Sequence, residues 1–272
     1  MTDPAGMVIL VNGAEHGAFE VQDPALWTGM GVFETLRTWG PRVFRCEPHM
    51  DRLAGSARWM GWAWDREAVT REVHALGAIG GDRKVNVLLT ETQRVVTSSP
   101  LDQSRVGAGI RCATVAFDAP PWLPGFVKHT SRASWLLAVR HVAAKLGEPL
   151  DEVLWQDAAG CWTEANRSNL VAVRDGVLIT PPLDGRILEG CTRAWVIQAA
   201  AWAGMQVTEA PLPSGVPWAE LYVTSTLKEL APVVRVDARE GWSWGPVGLR
   251  LRAAMTAFAE AEMRHPVSGI AP

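Results

Sequence analysis

An amine that must attack a carbonyl has four candidates in this chain: Lys84, Lys128, Lys145 and Lys228. Lys145 falls in the last turn of the helix expected over "SRASWLLAVRHVAAKLG" (131–147), where a cation complements the helix dipole and meets water. Lys84 precedes a strand and Lys228 lies in the exposed-looking "TLKEL", so both read as solubility charges or ligand contacts. Lys128 differs. It follows Phe126 and Val127, opens onto "HTSR", and comes four residues after the last proline of "DAPPWLPGF" (118–126). A desolvated lysine has a depressed pKa, which frees its nitrogen for nucleophilic attack. A lysine after a linker is more often a surface charge, so partners elsewhere in the chain decide.

The elements that must position such a group alternate in type. "MVILVNG" (7–13) reads as a short strand entering an Asn12-Gly13 turn, and "VFETLRTWGPRVFRC" (32–46) as two strands about a Trp-Gly-Pro turn. "EPHMDRLAGSARWMGW" (47–62) is helical, with Met50, Leu53 and Ala57 on one face and Pro48 in the first turn. "DREAVTREVHALGAIG" (65–80) is a second helix ending in glycines, and "VNVLLTET" (85–92) and "IRCATVAF" (110–117) are strands. Three prolines within 118–126 favour extended chain with few ladder hydrogen bonds, which marks an interdomain linker. Beyond it lie the helix 131–147, strands "EVLWQD" (152–157), "NLVAVRDGVLIT" (169–180, with an Asp-Gly hairpin signal) and "ELYVTST" (220–226), and a helix "TRAWVIQAAAWAG" (192–204). The expectation is an α/β (α+β) chain in two lobes. A smaller N-terminal domain spans 1–117, the linker 118–126, and a larger C-terminal domain 127–272 carries Lys128, with a ligand cleft where the two meet.

Composition narrows the partner. The 272 residues are 48% hydrophobic, enough for a sizeable core. A formal charge of −3 leaves no basic footprint for nucleic acid or an anionic membrane, so a small molecule is expected. Cys46, Cys112, Cys161 and Cys191 show neither a CxxC pair nor metal-ligand spacing; no metal site or disulfide framework is expected, which suits a reducing cytoplasm. The N-terminus lacks a signal-peptide pattern and no apolar run reaches the roughly 20 residues of a membrane span, so a soluble, unprocessed, cytoplasmic protein is expected. The 14 tryptophans are scattered and read mostly as core or interface packing, with Trp27, Trp135 and Trp155 expected nearest the pocket.

Four blocks in order, "GVFETLR" (31–37), "FRCEPHMDRL" (44–53), the stretch 151–193 containing "WTEANRSNL", "DGVLITP" and "LEGCTR", and "ELYVTSTLKELAPVVRVD" (220–237), together resemble the class IV aminotransferase family. Its members are pyridoxal-phosphate (PLP) enzymes of fold type IV: branched-chain and D-amino-acid aminotransferases, some amine transaminases, and 4-amino-4-deoxychorismate lyase. The resemblance implies a D-amino-acid-aminotransferase-like fold with the cofactor between two domains, pyridoxal 5′-phosphate, an amino-acid substrate and a homodimer. It places Lys128 as the Schiff-base lysine that also shuttles the proton, and Glu164 opposite the pyridine nitrogen. Arg52 falls on the phosphate arginine. Gly190, Cys191 and Thr192 offer amides to the phosphate at a helix N-terminus, and Ser225 and Thr226 match a second loop near phosphate and substrate. Cys191 stands where the family usually has Ile or Val, a change that a backbone contact survives. His129, beside the lysine, is not a family requirement and reads first as packing or hydrogen bonding.

Thr35 decides the favoured reaction. The resemblance puts this threonine near the lysine in the lyases, where it assists proton transfer, so the first reading is 4-amino-4-deoxychorismate lyase, forming 4-aminobenzoate and pyruvate. The alternative is an aminotransferase exchanging an amino group between an amino acid or amine and a 2-keto acid. A non-catalytic PLP carrier is a third reading, opposed by the intact Lys128, Glu164 and Arg52. "VLLTETQRV" (87–95) has Glu91 and Thr92 where many relatives have Arg-Gly, which removes the usual carboxylate clamp; Arg94, Lys84 or Arg132 are the candidates to replace it.

Overall fold

The computed structural model describes residues 6–15 and 17–264. Strands β1 (Val8–Val11), β2 (Val32–Trp39), β3 (Arg42–Val43), β4 (Arg83–Leu89) and β5 (Arg94–Pro100) form an antiparallel sheet in the order β1-β5-β4-β2-β3. Its β4 strand alternates cleanly, with Val85, Val87 and Leu89 buried and Lys84, Asn86 and Leu88 half-buried, the pattern of a sheet covered on one face. The cover is α2 (Cys46–Trp59) and α3 (Arg66–Gly77), which follow a one-turn α1 (Pro24–Thr28). Met50, Leu53 and Ala57 of α2 are buried in this core, as their spacing predicts, and Asp65 caps α3 by accepting from the Ala68 amide at 2.9 Å.

One expected strand is cut short. The strand read over 85–92 ends at Leu89 because 90–93 is the hairpin turn into β5. The Asp23 carboxylate fixes that turn, accepting from Thr90 Oγ1 (2.6 Å), Thr92 Oγ1 (2.9 Å) and Gln93 Nε2 (2.9 Å).

The second sheet holds β6 (Ile110–Ala116), β7 (Glu152–Gln156), β8 (Cys161–Ala165), β9 (Asn169–Arg174), β10 (Val177–Thr180), β11 (Val207–Glu209), β12 (Leu212–Pro213), β13 (Glu220–Ser225) and β14 (Glu229–Val236). They run β11-β10-β9-β13-β14-β6-β7-β8-β12, with β15 (Arg239–Glu240) added on β14. β6 pairs in parallel with both β14 and β7, so it belongs to this larger sheet. The chain therefore leaves the smaller sheet after Pro100, whereas the sequence reading carried the first domain to 117. β9 and β13 are buried along nearly their whole length, with unbroken apolar runs at Leu170–Val173 and Leu221–Val223 and the buried polar residues Asn169, Glu220 and Thr224 at their ends.

Helices α5 (Cys191–Trp202) and α6 (Pro246–Arg264) close one face around Trp195, Tyr222 and Leu251. That core reaches across to the smaller sheet: Phe44 packs edge-on to Trp195 at 4.9 Å and stacks on Trp39 at 5.3 Å. Arg37 adds a buried ion pair to Glu229. Helix α4 (Ala133–Leu146) buries none of its residues in the single chain. No helix among the described residues is long and apolar enough to cross a membrane.

Between β6 and α4 the Pro-rich segment is irregular and pinned at both ends. The Gly125 amide donates to Gly185 O at 3.1 Å, and Phe126 packs into the core of the smaller sheet. Past it, Lys128 N donates to Ser56 Oγ (3.1 Å), Lys128 O accepts from Phe33 N (3.0 Å), and His129 bridges Val32. Backbone on both sides of the lysine is thus fixed to β2 and α2.

Candidate active site

Three surfaces meet at an open cavity of about 630 Å³: the end of β2 with α2, the segment 125–135, and the loops at the ends of β8, β13 and the start of α5. Lys128, Glu164, Arg52, Gly190, Cys191, Thr192, Ser225 and Thr226 all line it. Residues from five separate stretches of sequence converge on one hollow. Thr35 is not among the lining residues; its hydroxyl donates to Asn86 Oδ1 at 2.9 Å on the neighbouring strand.

Lys128 Nζ sits 4.6 Å from the centre of the Phe33 ring. Burial, followed by the nearby Arg52 cation, brings its pKa down to about 8, so a substantial neutral fraction exists near that pH. Glu164 lines the same cavity. Its Oε2 accepts from Leu188 N (3.0 Å) and Asn169 Nδ2 (3.2 Å), and burial pushes its carboxyl up to about 8 despite those bonds. A carboxyl held uncharged by desolvation is poised for a cation beside it.

Arg52 is held by a residue the sequence reading passed over. Glu34, fully buried on β2, receives Arg52 Nε at 2.7 Å and Nη2 at 2.8 Å, a bidentate pair, while Nη1 donates to Glu189 O at 2.9 Å. Burial works to raise the Glu34 carboxyl, but Arg52 outweighs it and holds it well below the usual carboxylate range. His49 Nδ1 lies 2.8 Å from Glu34 Oε2, three residues before Arg52 on the same helix face. Glu34 carried a signal in the sequence: a charged residue at an inward position of an apolar strand requires a buried partner.

Helix α5 begins at Cys191 with Gly190 as its N-cap and no side-chain cap, so its first amides are left for an anion. Burial raises the Cys191 thiol, yet His49 and Arg52 outweigh it and draw the pKa down, a measure of the positive field at this spot. Glycine is needed at 190, since a Cβ there would stand 1.9 Å from Asn169 Oδ1. Asn169, the second missed residue, donates to both Leu188 O (2.9 Å) and Glu164, tying the helix entrance to the buried acid.

The remaining expectations divide. Trp135 lines the cavity and Trp155 lines an adjoining one, but Trp27 is 74% exposed and lines neither. His129 lines both hollows with its Nδ1 unpartnered among the described residues, and burial lowers its pKa to about 4. Lys228 is not the exposed charge its surroundings suggested: it is buried, paired to Glu152 and 3.3 Å from Ser168 Oγ.

The hollow fits a phosphorylated pyridine aldehyde on its own chemistry. Three of the five Arg52 N–H donors are committed, leaving others for phosphate beside the uncapped helix. Buried polar atoms without a partner among the described residues, His129 Nδ1, Arg132 Nε, Asn166 Nδ2 and Thr224 Oγ1, belong to residues that line the same hollow.

Comparison with known proteins gives the class first. A Mycobacterium tuberculosis structure described as a hypothetical aminotransferase in its PLP-bound form superposes with a TM-score of 0.82 at 23% identity, covering 92% of this chain and 99% of that one. The branched-chain aminotransferase of Thermoproteus uzoniensis, solved with norvaline, gives 0.82 at 25% identity over 94% and 95% of the two chains. The architecture is that of the fold type IV PLP aminotransferases. In sequence, a Methanocaldococcus jannaschii protein named in the branched-chain-amino-acid aminotransferase group is 30% identical over 261 residues, 86% of this chain and 89% of its own. The amino-transferase class IV family matches residues 31–236, and the chain belongs to that family, with pyridoxal 5′-phosphate as its cofactor.

Proposed function

We propose that the protein is an aminotransferase that moves an amino group between an amino acid and a 2-keto acid. The observation that carries this is one cavity lined by a lysine amine with a pKa near 8, a buried carboxyl whose pKa burial raises to about 8, and an anion cradle built by Arg52 and the start of α5. When bound, pyridoxal phosphate supplies an aldehyde for joining an amine and a ring that draws electrons from the adjoining carbon. Arg52, Gly190, Cys191 and Thr192 would hold its phosphate, with Ser225 and Thr226 beside them. Glu164 would face the ring nitrogen, and Lys128 the aldehyde. Lys128 Nζ, neutral in part at working pH, serves as nucleophile and then as the base that removes and returns the proton at the substrate carbon. The Phe33 ring, its centre 4.6 Å from that amine, shields it on one side.

Relatives bearing the branched-chain aminotransferase name, among them that of Escherichia coli at 28% identity over 91% of this chain and 90% of its own, favour branched-chain amino acids as donors. The lyase reading rested on Thr35 beside the lysine, and that hydroxyl is spent on Asn86 instead. The exposed, apolar α4 supports a homodimer.

The test uses cofactor-loaded protein with leucine, valine and glutamate as donors. Conversion of the cofactor to its amine form with release of the 2-keto acid is the expected result. Pyruvate and 4-aminobenzoate from aminodeoxychorismate, without that conversion, would restore the lyase. Lys128→Ala is expected to fold, to take up cofactor without the wild-type visible absorbance, and to lose turnover by at least about 10³-fold.

A further inference from the structure

An amino acid brings a carboxylate next to its reacting carbon, and the site must supply a cation for it that no protein acid already holds. Arg94 is spent on Glu72, to which its Nε and Nη2 donate at 3.0 and 2.8 Å. Lys84 does not line the cavity. Of the cations that do, Arg52 is bound by Glu34, Lys128 is the nucleophile, and Arg167 is exposed with its Nη2 committed to Asp151 O at 2.7 Å.

We propose that Arg132 grips the substrate carboxylate. Its guanidinium lies 5.5 Å from the Phe33 ring centre and 5.2 Å from that of Trp135, between two aromatic groups that fix its plane. One bond, Nη2 to Asn166 O at 2.6 Å, sets its rotation, while the buried Nε has no partner among the described residues. Lys128 Nζ lies 4.6 Å from the centre of the same Phe33 ring, lines the same cavity and feels the Arg132 charge, so the two cations border one part of the hollow. Burial and the neighbouring Arg167 both disfavour the charged guanidinium, and an incoming carboxylate relieves each. Planar, partly desolvated and unpaired with any carboxylate among the described residues, Arg132 offers the fork geometry that a carboxylate accepts.

This deepens the aminotransferase reading and rests on it. Cofactor-loaded wild type, Arg132→Leu and Arg132→Lys are compared on leucine, its decarboxylated amine and glutamate, following conversion of the cofactor to its amine form. Arg132→Leu is expected to lower kcat/KM for leucine at least about 100-fold, mainly through KM, while the amine changes little, so the preference for acid over amine collapses. Arg132→Lys, which keeps the charge but loses the fork, falls between. A loss for glutamate alone would place the side-chain carboxylate there and overturn the assignment to the carboxylate on the reacting carbon.

Calorimetric binding of 4-methylpentanoate, a carboxylate that cannot react, gives an independent reading: wild type binds it and Arg132→Leu does not. Equal losses for acid and amine with unchanged carboxylate binding would overturn the proposal and make Arg132 a cofactor-positioning residue, visible as a shifted pH titration of the cofactor absorbance. If no donor converts the cofactor in wild type, the aminotransferase reading fails while the binding experiment still judges Arg132.

Discussion

Two buried acids in this site carry opposite charge states, and their surroundings explain why. Glu34 faces a bidentate arginine and stays ionised, whereas Glu164 has only neutral donors in contact and is pushed up to about 8 by burial. An ordinary glutamate titrates near 4.5, so between that value and about 8 the folded, cofactor-free protein keeps a proton that the unfolded chain has lost. Its stability must fall as pH rises through that window. Glu164→Gln removes this dependence while preserving an acceptor for Leu188 N. In urea unfolding of cofactor-free protein, the variant should match wild type near about pH 5 and exceed it by on the order of 3 kcal/mol near about pH 9. With cofactor loaded, the ring nitrogen would supply a cationic partner for the ionised Glu164, and the ordering should reverse. The roles of Lys128, Glu164 and Arg52 were suggested by resemblance and their convergence by structure. Glu34 and Asn169 were missed because their work is to hold other side chains, and such partners are set by tertiary contact rather than spacing.

At the scale of elements, the segment 118–132 converts chain connectivity into lysine position. Gly125 is wedged against the 185–187 loop so closely that a Cβ would lie 2.1 Å from Arg186 O and 2.8 Å from Ile187 N. That neighbour is backbone, so it cannot swing aside. Gly125→Ala should therefore displace the linker and, three residues on, Lys128. We expect cofactor affinity to fall about tenfold or more and the protein to lose roughly 1–3 kcal/mol, read by fluorescence titration with pyridoxal phosphate and by urea unfolding. The amphipathic α2 was legible from its apolar spacing, and β7, β9, β10 and β13 from strand-like runs and an Asp-Gly turn, whereas β8, β14 and the helix α6 were not read from the sequence. The placement of β6 was not legible, because a parallel partner on β14, 123–124 residues further along the sequence, leaves no local trace, and the prolines after it looked like the natural boundary. The 90–93 turn was hidden for a similar reason: its lock, Asp23, lies on a distant loop.

For the whole molecule, helix α4 is the feature a single chain leaves unexplained. Fourteen residues long and apolar over most of its length, it buries none of them, and it exposes Leu136 by 52% and Leu137 by 46%. A monomer rarely leaves such a contiguous apolar surface in water, because each buried leucine is worth about 2 kcal/mol against exposure. A second copy seated on α4 would satisfy it, and the consequence would reach the chemistry. Trp135 on this helix lines the cavity, and Arg132 is its N-cap residue, so whatever rests on α4 also steadies the wall opposite Phe33. The double variant Leu136→Glu, Leu137→Glu should give a light-scattering mass of one 29.6 kDa chain where wild type gives two. Its KM for amino donor should rise about tenfold while bound cofactor is retained, because Lys128 is also anchored by Ser56 and Phe33, Arg52 by Glu34, and Glu164 by Leu188 and Asn169. A wild-type mass of one chain, or a monomeric variant with unchanged KM, would separate the helix face from the site and leave α4 without a role in catalysis.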